Sequence, residues 1–113
     1  MSNEKALEKK FCDWVKVIGG IAVKGPAPMY KGIPDRIAVL PNGGGTVWVE
    51  FKGGTYYSLT PMQLHWRKML MDSDPGRYFL VDNTDDLARV ISACETFMEM
   101  GNIPLDTTPG DVL

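Results

Sequence analysis

The sequence is poor in the residues that build disulfide frameworks and histidine-based sites. Two cysteines, Cys12 and Cys94, are too few for a disulfide framework or a four-cysteine zinc site, which favours a reducing compartment. The single histidine, His65, cannot form a histidine-rich metal site or a catalytic triad without partners. No apolar run approaches the roughly 20 residues of a membrane-spanning helix, and the start MSNEKALEKKF is charged where a signal peptide is hydrophobic. We therefore expect a cytoplasmic protein with no membrane association.

The charge is unevenly distributed along the 113 residues, which are enough for one domain. The net charge of -2 hides a basic first part, because residues 1–71 hold ten Lys/Arg and five Asp/Glu. Residues 72–113 hold two Lys/Arg and nine Asp/Glu, so the last part is acidic. A polyanion such as a nucleic acid is therefore able to bind the first part despite the negative total.

Hydrophobic spacing and turn residues predict seven elements. In chain order they are a helix ending before Gly19, strands over 21–24, 35–40 and 46–52, a helix from the N-cap Thr60 to about residue 71, a strand over 77–82, and a helix capped by Thr84 and ended by Gly101. The glycine-rich turn 41–45 makes the second and third strands a hairpin. This order predicts an α/β domain over residues 1–101, with a mixed sheet flanked by helices, followed by an extended or disordered tail over 102–113.

Three charged residues of the hairpin are candidates for a catalytic site. Side chains alternate along a strand, so Glu50 and Lys52 share one face while Val49 and Phe51 share the other, core-facing one. Asp35 lies at the start of the partner strand, opposite the end of this one, so two carboxylates converge. Converging carboxylates repel unless a cation separates them, and Mg²⁺ or Mn²⁺ prefers such oxygen ligands. With a lysine nearby, this arrangement favours phosphodiester hydrolysis.

The order of several short segments resembles a known nuclease family. These segments are Leu7-Glu8, Gly19-Gly20 followed by Lys24, GIPDR at 32–36, VEFK at 49–52, LTPMQ at 59–63, and the final strand and helix. GIPDR followed by EFK resembles the PD-(D/E)XK nuclease motif. The whole set, over about residues 7–91, resembles the VRR-NUC family in its small stand-alone form from phages and bacteria.

This resemblance implies a restriction-endonuclease-like fold and a divalent-metal-dependent endodeoxyribonuclease. It implies Mg²⁺ or Mn²⁺ as cofactor without an organic cofactor, DNA as substrate with a preference for branched forms such as Holliday junctions, a homodimer, and, for a phage-encoded chain, the cytoplasm of the bacterial host.

Residue roles follow from the same resemblance. It implies metal ligation by Glu8, Asp35, Glu50 and the backbone carbonyl of Phe51. Lys52 would orient or help deprotonate the attacking water, and Gln63 would support this lysine or contact the substrate phosphate. The candidate nucleic-acid contacts are Lys24, Lys31 and Arg36. The Tyr56-Tyr57 loop belongs to no motif of the family and leaves the substrate preference open.

Simpler interpretations of the same residues stay open. Glu50 and Lys52 are compatible with a solvated strand face, Gln63 with a capping box only, and Glu8 with an exposed helix position. The two cysteines, and most of the tryptophans Trp14, Trp48 and Trp66, fit core or dimer packing better than reactivity or base stacking. At the level of function, the alternatives are a non-catalytic nucleic-acid-binding or assembly module on the same fold and a purely structural phage or plasmid protein.

Overall fold

The computed structural model of the protein describes residues 3–54 and 58–101. It contains α1 (Asn3–Val17), β1 (Ile21–Lys24), β2 (Arg36–Leu40), β3 (Gly45–Phe51), α2 (Pro61–Ser73), β4 (Tyr78–Val81) and α3 (Thr84–Gly101). All seven predicted elements are therefore present in the predicted order. The predicted tail over 102–113 and the Tyr56-Tyr57 pair lie outside the described residues.

The four strands form one mixed sheet in the order β1-β2-β3-β4. The β1–β2 and β2–β3 pairs are antiparallel, and β4 runs parallel to β3. The parallel pair needs a crossover connection, which α2 provides. The predicted hairpin is confirmed, with Leu40 opposite Gly45 and Arg36 opposite Val49.

Different helices pack on the two faces of the sheet. One face packs against α1 and α3, which bury the apolar stripes Leu7–Phe11–Val15 and Leu87–Val90–Cys94. The strand residues of this face are the fully buried core positions Ala38, Val47, Val49, Phe51 and Val81. The opposite face of the sheet carries the alternate residues of each strand. Helix α2 contacts this face near β4, and none of the residues of α2 is buried. The core thus lies between the sheet, α1 and α3.

Capping interactions set where the later helices begin. α2 starts with the predicted capping box, in which Thr60 Oγ1 accepts from the Gln63 N–H at 3.1 Å and Gln63 Oε1 accepts from the Thr60 N–H at 2.9 Å. The prediction that Thr84 caps α3 is wrong by one residue. Asn83 is the cap, because its Oδ1 accepts from the Asp86 N–H at 2.8 Å and its carbonyl from the Leu87 N–H at 3.1 Å. Within the described residues, no helix is both long and apolar enough to cross a bilayer.

Candidate active site

The hairpin brings Asp35 to the end of β3. The Gly25 N–H donates to the Asp35 carbonyl at 2.8 Å, which continues the β1–β2 pairing and fixes the Asp35 backbone. The Asp35 side chain reaches across to β3, where Oδ2 accepts from the Phe51 N–H at 2.8 Å. One carboxylate oxygen of Asp35 is therefore held by the backbone of β3.

Glu50 is the only charged residue among the buried polar positions of the described chain, with 3% of its surface exposed. Burial, together with a hydrogen bond to the Asp35 carboxyl and its negative charge, raises the pKa of Glu50 to about 9. The two carboxyl groups are thus close enough to share a proton. This burial excludes the interpretation of Glu50 as part of a solvated strand face.

Lys52 links the end of β3 to the first turn of α2. Its Nζ donates to Gln63 Oε1 at 3.4 Å, and the same oxygen accepts from the Thr60 N–H. Gln63 therefore caps the helix and positions the lysine with one side chain. The positive charge of Lys52 opposes the rise in the pKa of Glu50, so the lysine lies within electrostatic reach of the carboxyl pair.

Glu8 is committed to another partner. Arg36 Nε donates to Glu8 Oε2 at 2.8 Å, and Arg36 Nη1 donates to the Ala22 carbonyl at 3.3 Å. Arg36 lies opposite Val49 in the β2–β3 register, which places it on the α1 side of the sheet, away from the face that carries Glu50. Across residues 3–54 and 58–101, no three His, Cys, Asp or Glu side chains gather closely enough to hold a metal. The structure therefore joins Asp35 with Glu50 and leaves Glu8 in an ion pair.

A second acidic residue of α1 acts on the site instead. The negative charge of Glu4 contributes to the raised pKa of Glu50. Glu4 lies one helical turn before Glu8, and Gly53 packs so closely on the α1 start that a Cβ there would overlap the Glu4 backbone. Glu4 was not among the site residues predicted from the sequence; its four-residue spacing to Glu8 is the signal that places the two on one helix face.

The donor atoms at this point of the sheet fit a hard divalent cation. Asp35 and Glu50 offer carboxylate oxygens, and the Phe51 backbone carbonyl belongs to the same strand end. A nearly buried carboxyl beside a second one is unfavourable in the charged form until a cation neutralises the pair. Mg²⁺ commonly binds through one or two carboxylates and completes its shell with water and substrate phosphate oxygens, so two carboxylates suffice.

The predicted nucleic-acid contacts differ in their surroundings. Lys24 and Lys31 are exposed, and Lys24 precedes the glycine bonded to the Asp35 carbonyl. Arg36 has its guanidinium held inside the fold by Glu8, so its contact with nucleic acid stays a prediction without support from its position. The accessible positive charge near the site comes from the two lysines.

The remaining reactive side chains play no part in the site. Cys94 is buried, and burial raises the pKa of its thiol to about 11; burial also raises the pKa of the partly exposed Cys12. High thiol pKa values oppose nucleophilic reactivity, as predicted. His65 is exposed on α2, and Trp14 packs against the core.

Comparison with known proteins agrees with this geometry. No protein-family model matches the sequence. Over 91 residues the chain is 36% identical to "Putative nuclease p44" of Acyrthosiphon pisum secondary endosymbiont phage 1, covering 80% of this chain and 94% of the phage protein. A solved structure of a "VRR_NUC domain" superposes with a TM-score of 0.71 at 22% identity, covering 81% of this chain and 97% of that one. The structural likeness confirms the predicted fold.

Proposed function

Since this chain belongs to the VRR-NUC family of nucleases, we propose that it is a divalent-metal-dependent endodeoxyribonuclease that hydrolyses phosphodiester bonds, with a preference for branched DNA such as Holliday junctions. The observation that carries the proposal is the pair of carboxyl groups of Asp35 and Glu50. Glu50 is buried, and the Lys52 charge acts on it. An acidic pair with a single amine at a strand end suits the binding of a cation and a phosphate.

The two carboxylates are the proposed ligands for Mg²⁺ or Mn²⁺, with the Phe51 carbonyl as a third. A cation held there would polarise the scissile phosphate and lower the pKa of a bound water. The Phe51 N–H holds Asp35 in place through its 2.8 Å hydrogen bond. For Glu8 to act as a direct ligand, its ion pair with Arg36 would have to open.

Lys52 is the proposed group that orients the attacking water and stabilises the added negative charge on the phosphate. Its ammonium group has three donors, of which one points at Gln63 Oε1. The capping box fixes Gln63, because Gln63 Oε1 and the Gln63 N–H are both bonded to Thr60. The lysine is therefore positioned from α2 while its other donors face the substrate.

Exposed Lys24 and Lys31 are the proposed contacts for the DNA backbone near the cut. They belong to the basic part of the chain, whose charge is opposite to that of the phosphates. Binding should weaken steeply as salt rises, because each neutralised phosphate releases counterions. We further propose that the protein acts in the cytoplasm of a bacterial host.

The test is cleavage of labelled junction, flap, duplex and single-strand DNA in Mg²⁺ or Mn²⁺ at fixed salt, with Asp35→Asn and Glu50→Gln beside the unaltered protein. We expect both variants to lose cleavage by at least about 100-fold, as removal of a key electrostatic group does in other enzymes, while DNA binding persists. Asp72→Asn is the matched control, because Asp72 is an exposed acid of α2 paired only with Lys68 among the described ion pairs.

Unchanged cleavage in both variants would overturn the proposal. Titration calorimetry with Mn²⁺ separates the proposal from the alternative of a non-catalytic nucleic-acid-binding or assembly module. DNA binding without metal uptake and without cleavage by the unaltered protein would favour that module.

A further inference from the structure

An aromatic pair made of an exposed tyrosine and a partly buried tryptophan adjoins the candidate active site and has no part in the chemistry proposed above. The rings of Tyr30 and Trp66 meet edge to face, with centroids 6.3 Å apart and an interplanar angle of 85°. Tyr30 is 53% exposed and its neighbour Met29 is 77% exposed. Exposed apolar groups that adjoin one another, as Met29 and Tyr30 do, often mark a binding surface.

The loop that presents Tyr30 is held in one conformation. The Trp66 indole N–H donates to the Lys31 carbonyl at 3.1 Å, and the Ile33 N–H donates to the Tyr30 carbonyl at 3.2 Å. Gly32 has a φ of +86°, and a Cβ at this position would overlap the Met62 backbone. The loop is therefore fixed against the start of α2, and a ligand that used Tyr30 would not have to order it first.

Both rings are tied to the catalytic groups by short connections. Trp66 follows Gln63 by three residues on α2, so the two side chains share a helix face, and Gln63 bonds Lys52. Tyr30 lies five residues before Asp35 in the same loop. A strand of DNA with a phosphate at the Asp35–Glu50 pair would thus pass within reach of Tyr30.

From this arrangement we propose that Tyr30, supported by Trp66, is a stacking surface for an unpaired nucleobase of the DNA next to the scissile phosphate. The proposal rests on the nuclease function and names the feature of the substrate that the enzyme recognises. Exposed Lys31, whose carbonyl is bonded to Trp66, supplies a positive charge for the adjoining phosphate, so the surface combines a π face with a cation as single-strand binding sites do.

Selectivity for branched DNA follows from base pairing. Inside a duplex, both faces of a base are already stacked on its neighbours, so Tyr30 gains nothing from a fully paired strand. At a junction, flap or single strand, a base that leaves its stack exposes a face that Tyr30 covers. Substitution of Tyr30 should thus slow the cleavage of substrates that contain unpaired bases and leave the cleavage of a duplex unchanged.

The first experiment measures stacking without cleavage. A single strand and a flap carrying 2-aminopurine at an unpaired position are titrated with the protein in EDTA at fixed salt, and the fluorescence of the base is followed. We expect quenching on binding by the unaltered protein and by Tyr30→Phe, which keeps the ring. Tyr30→Leu, which keeps an apolar side chain without a π face, should bind with markedly less quenching. Equal quenching by all three proteins would overturn the proposal.

The second experiment compares cleavage rates in Mn²⁺ on a flap and on a duplex of the same sequence. Tyr30→Leu should lower the flap-to-duplex ratio about 5- to 150-fold, the range for loss of one stacked base, and Tyr30→Phe should preserve the ratio. An unchanged ratio, or an equal loss on both substrates, would contradict the proposal. Circular dichroism confirms that each variant is folded.

The two experiments separate this proposal from the nuclease function. If the unaltered protein cuts no substrate but still quenches 2-aminopurine through Tyr30, the nuclease function fails and base stacking stands. If the protein cuts both substrates and Tyr30→Leu changes neither quenching nor the ratio, the nuclease function stands and the stacking proposal fails.

Discussion

Burial of Glu50 is the residue-scale feature on which the site depends. A carboxylate with 3% exposure beside Asp35 is destabilising when charged, since the pair carries like charges in a poorly hydrated place. Groups with strongly shifted pKa values concentrate at functional sites, where stability is given up for chemistry. The same feature makes the stability of the metal-free protein depend on pH.

Stability in EDTA should fall as pH rises. The pKa of Glu50 is about 9 in the fold against an ordinary value of 4.5, so between these values the folded protein binds a proton that the unfolded chain has released. Folding stability therefore decreases through this window, by at most about 1.4 kcal/mol per pH unit from this group. Thermal denaturation at pH 5, 7 and 9 measures the effect.

Glu50→Gln supplies the comparison for this pH dependence. The amide keeps the size of the side chain and cannot ionise, so the decline in melting temperature between pH 5 and 9 should become shallower in the variant. A decline of the same steepness in both proteins would mean that Glu50 is not the titrating group. Added Mn²⁺ should raise the melting temperature of the unaltered protein at pH 8 more than that of the variant.

At the scale of elements, the start of α2 has both a structural and a positioning role. The Thr60–Gln63 capping box satisfies N–H groups at the helix start, and Gln63 Oε1 also accepts from Lys52, the residue after β3, at 3.4 Å. Because α2 has no fully buried residue, it depends more than α1 and α3 on local interactions such as this capping box. The two roles can be separated by substitution.

Thr60→Ala should cost about 0.5–2 kcal/mol of unfolding free energy through the lost cap, with a small effect on the cleavage rate. Gln63→Ala keeps the backbone N–H that donates to Thr60 Oγ1 but removes Gln63 Oε1, which accepts from the Thr60 N–H and from Lys52, so it should lower the cleavage rate as well as stability. Gln63→Glu keeps an acceptor for both partners and should restore most of the stability. Chemical denaturation and single-turnover cleavage measure the two effects. A cleavage loss as large in Thr60→Ala as in Gln63→Ala would argue against the positioning of Lys52 by Gln63.

At the scale of the whole molecule, an apolar area of the sheet is exposed among the described residues. Ile21, Val23 and Val39 are 63%, 47% and 47% exposed, and the register places Ile21 beside Val39. They lie on the face of the sheet that also carries Glu50, on the side of the edge strand β1 that α2 does not cover. We propose that this area is the interface of the homodimer that the family resemblance implies, because a second copy would cover it and bring two sites to one DNA.

Val39→Glu should therefore weaken self-association, which light scattering after size exclusion measures over a range of concentrations. Val17→Glu is the matched control, since Val17 is 84% exposed on α1 and lies outside this area. We expect a lower apparent mass for Val39→Glu alone. If neither substitution changes the apparent mass, the protein is a monomer or its copies associate through another surface.

Local patterns alone determined much of this protein. The strand limits to within one residue, the 41–45 turn and the capping box of α2 depend on neighbours within a few residues, so the sequence predicts them directly. The meeting of Asp35 with the end of β3 follows from hairpin register, which is nearly as local.

Tertiary structure alone decided the contacts between distant segments. The ion pair of Glu8 with Arg36 joins α1 to β2, the bond from Trp66 to Lys31 spans 35 residues, and the burial of Glu50 depends on what packs over its strand. Packing of this kind depends on the relative positions of whole helices and strands, which hydrophobic periodicity does not specify. That is the physical reason why the sequence could predict the carboxyl pair but not the raised pKa of Glu50, the use of Glu8, or the aromatic surface beside them.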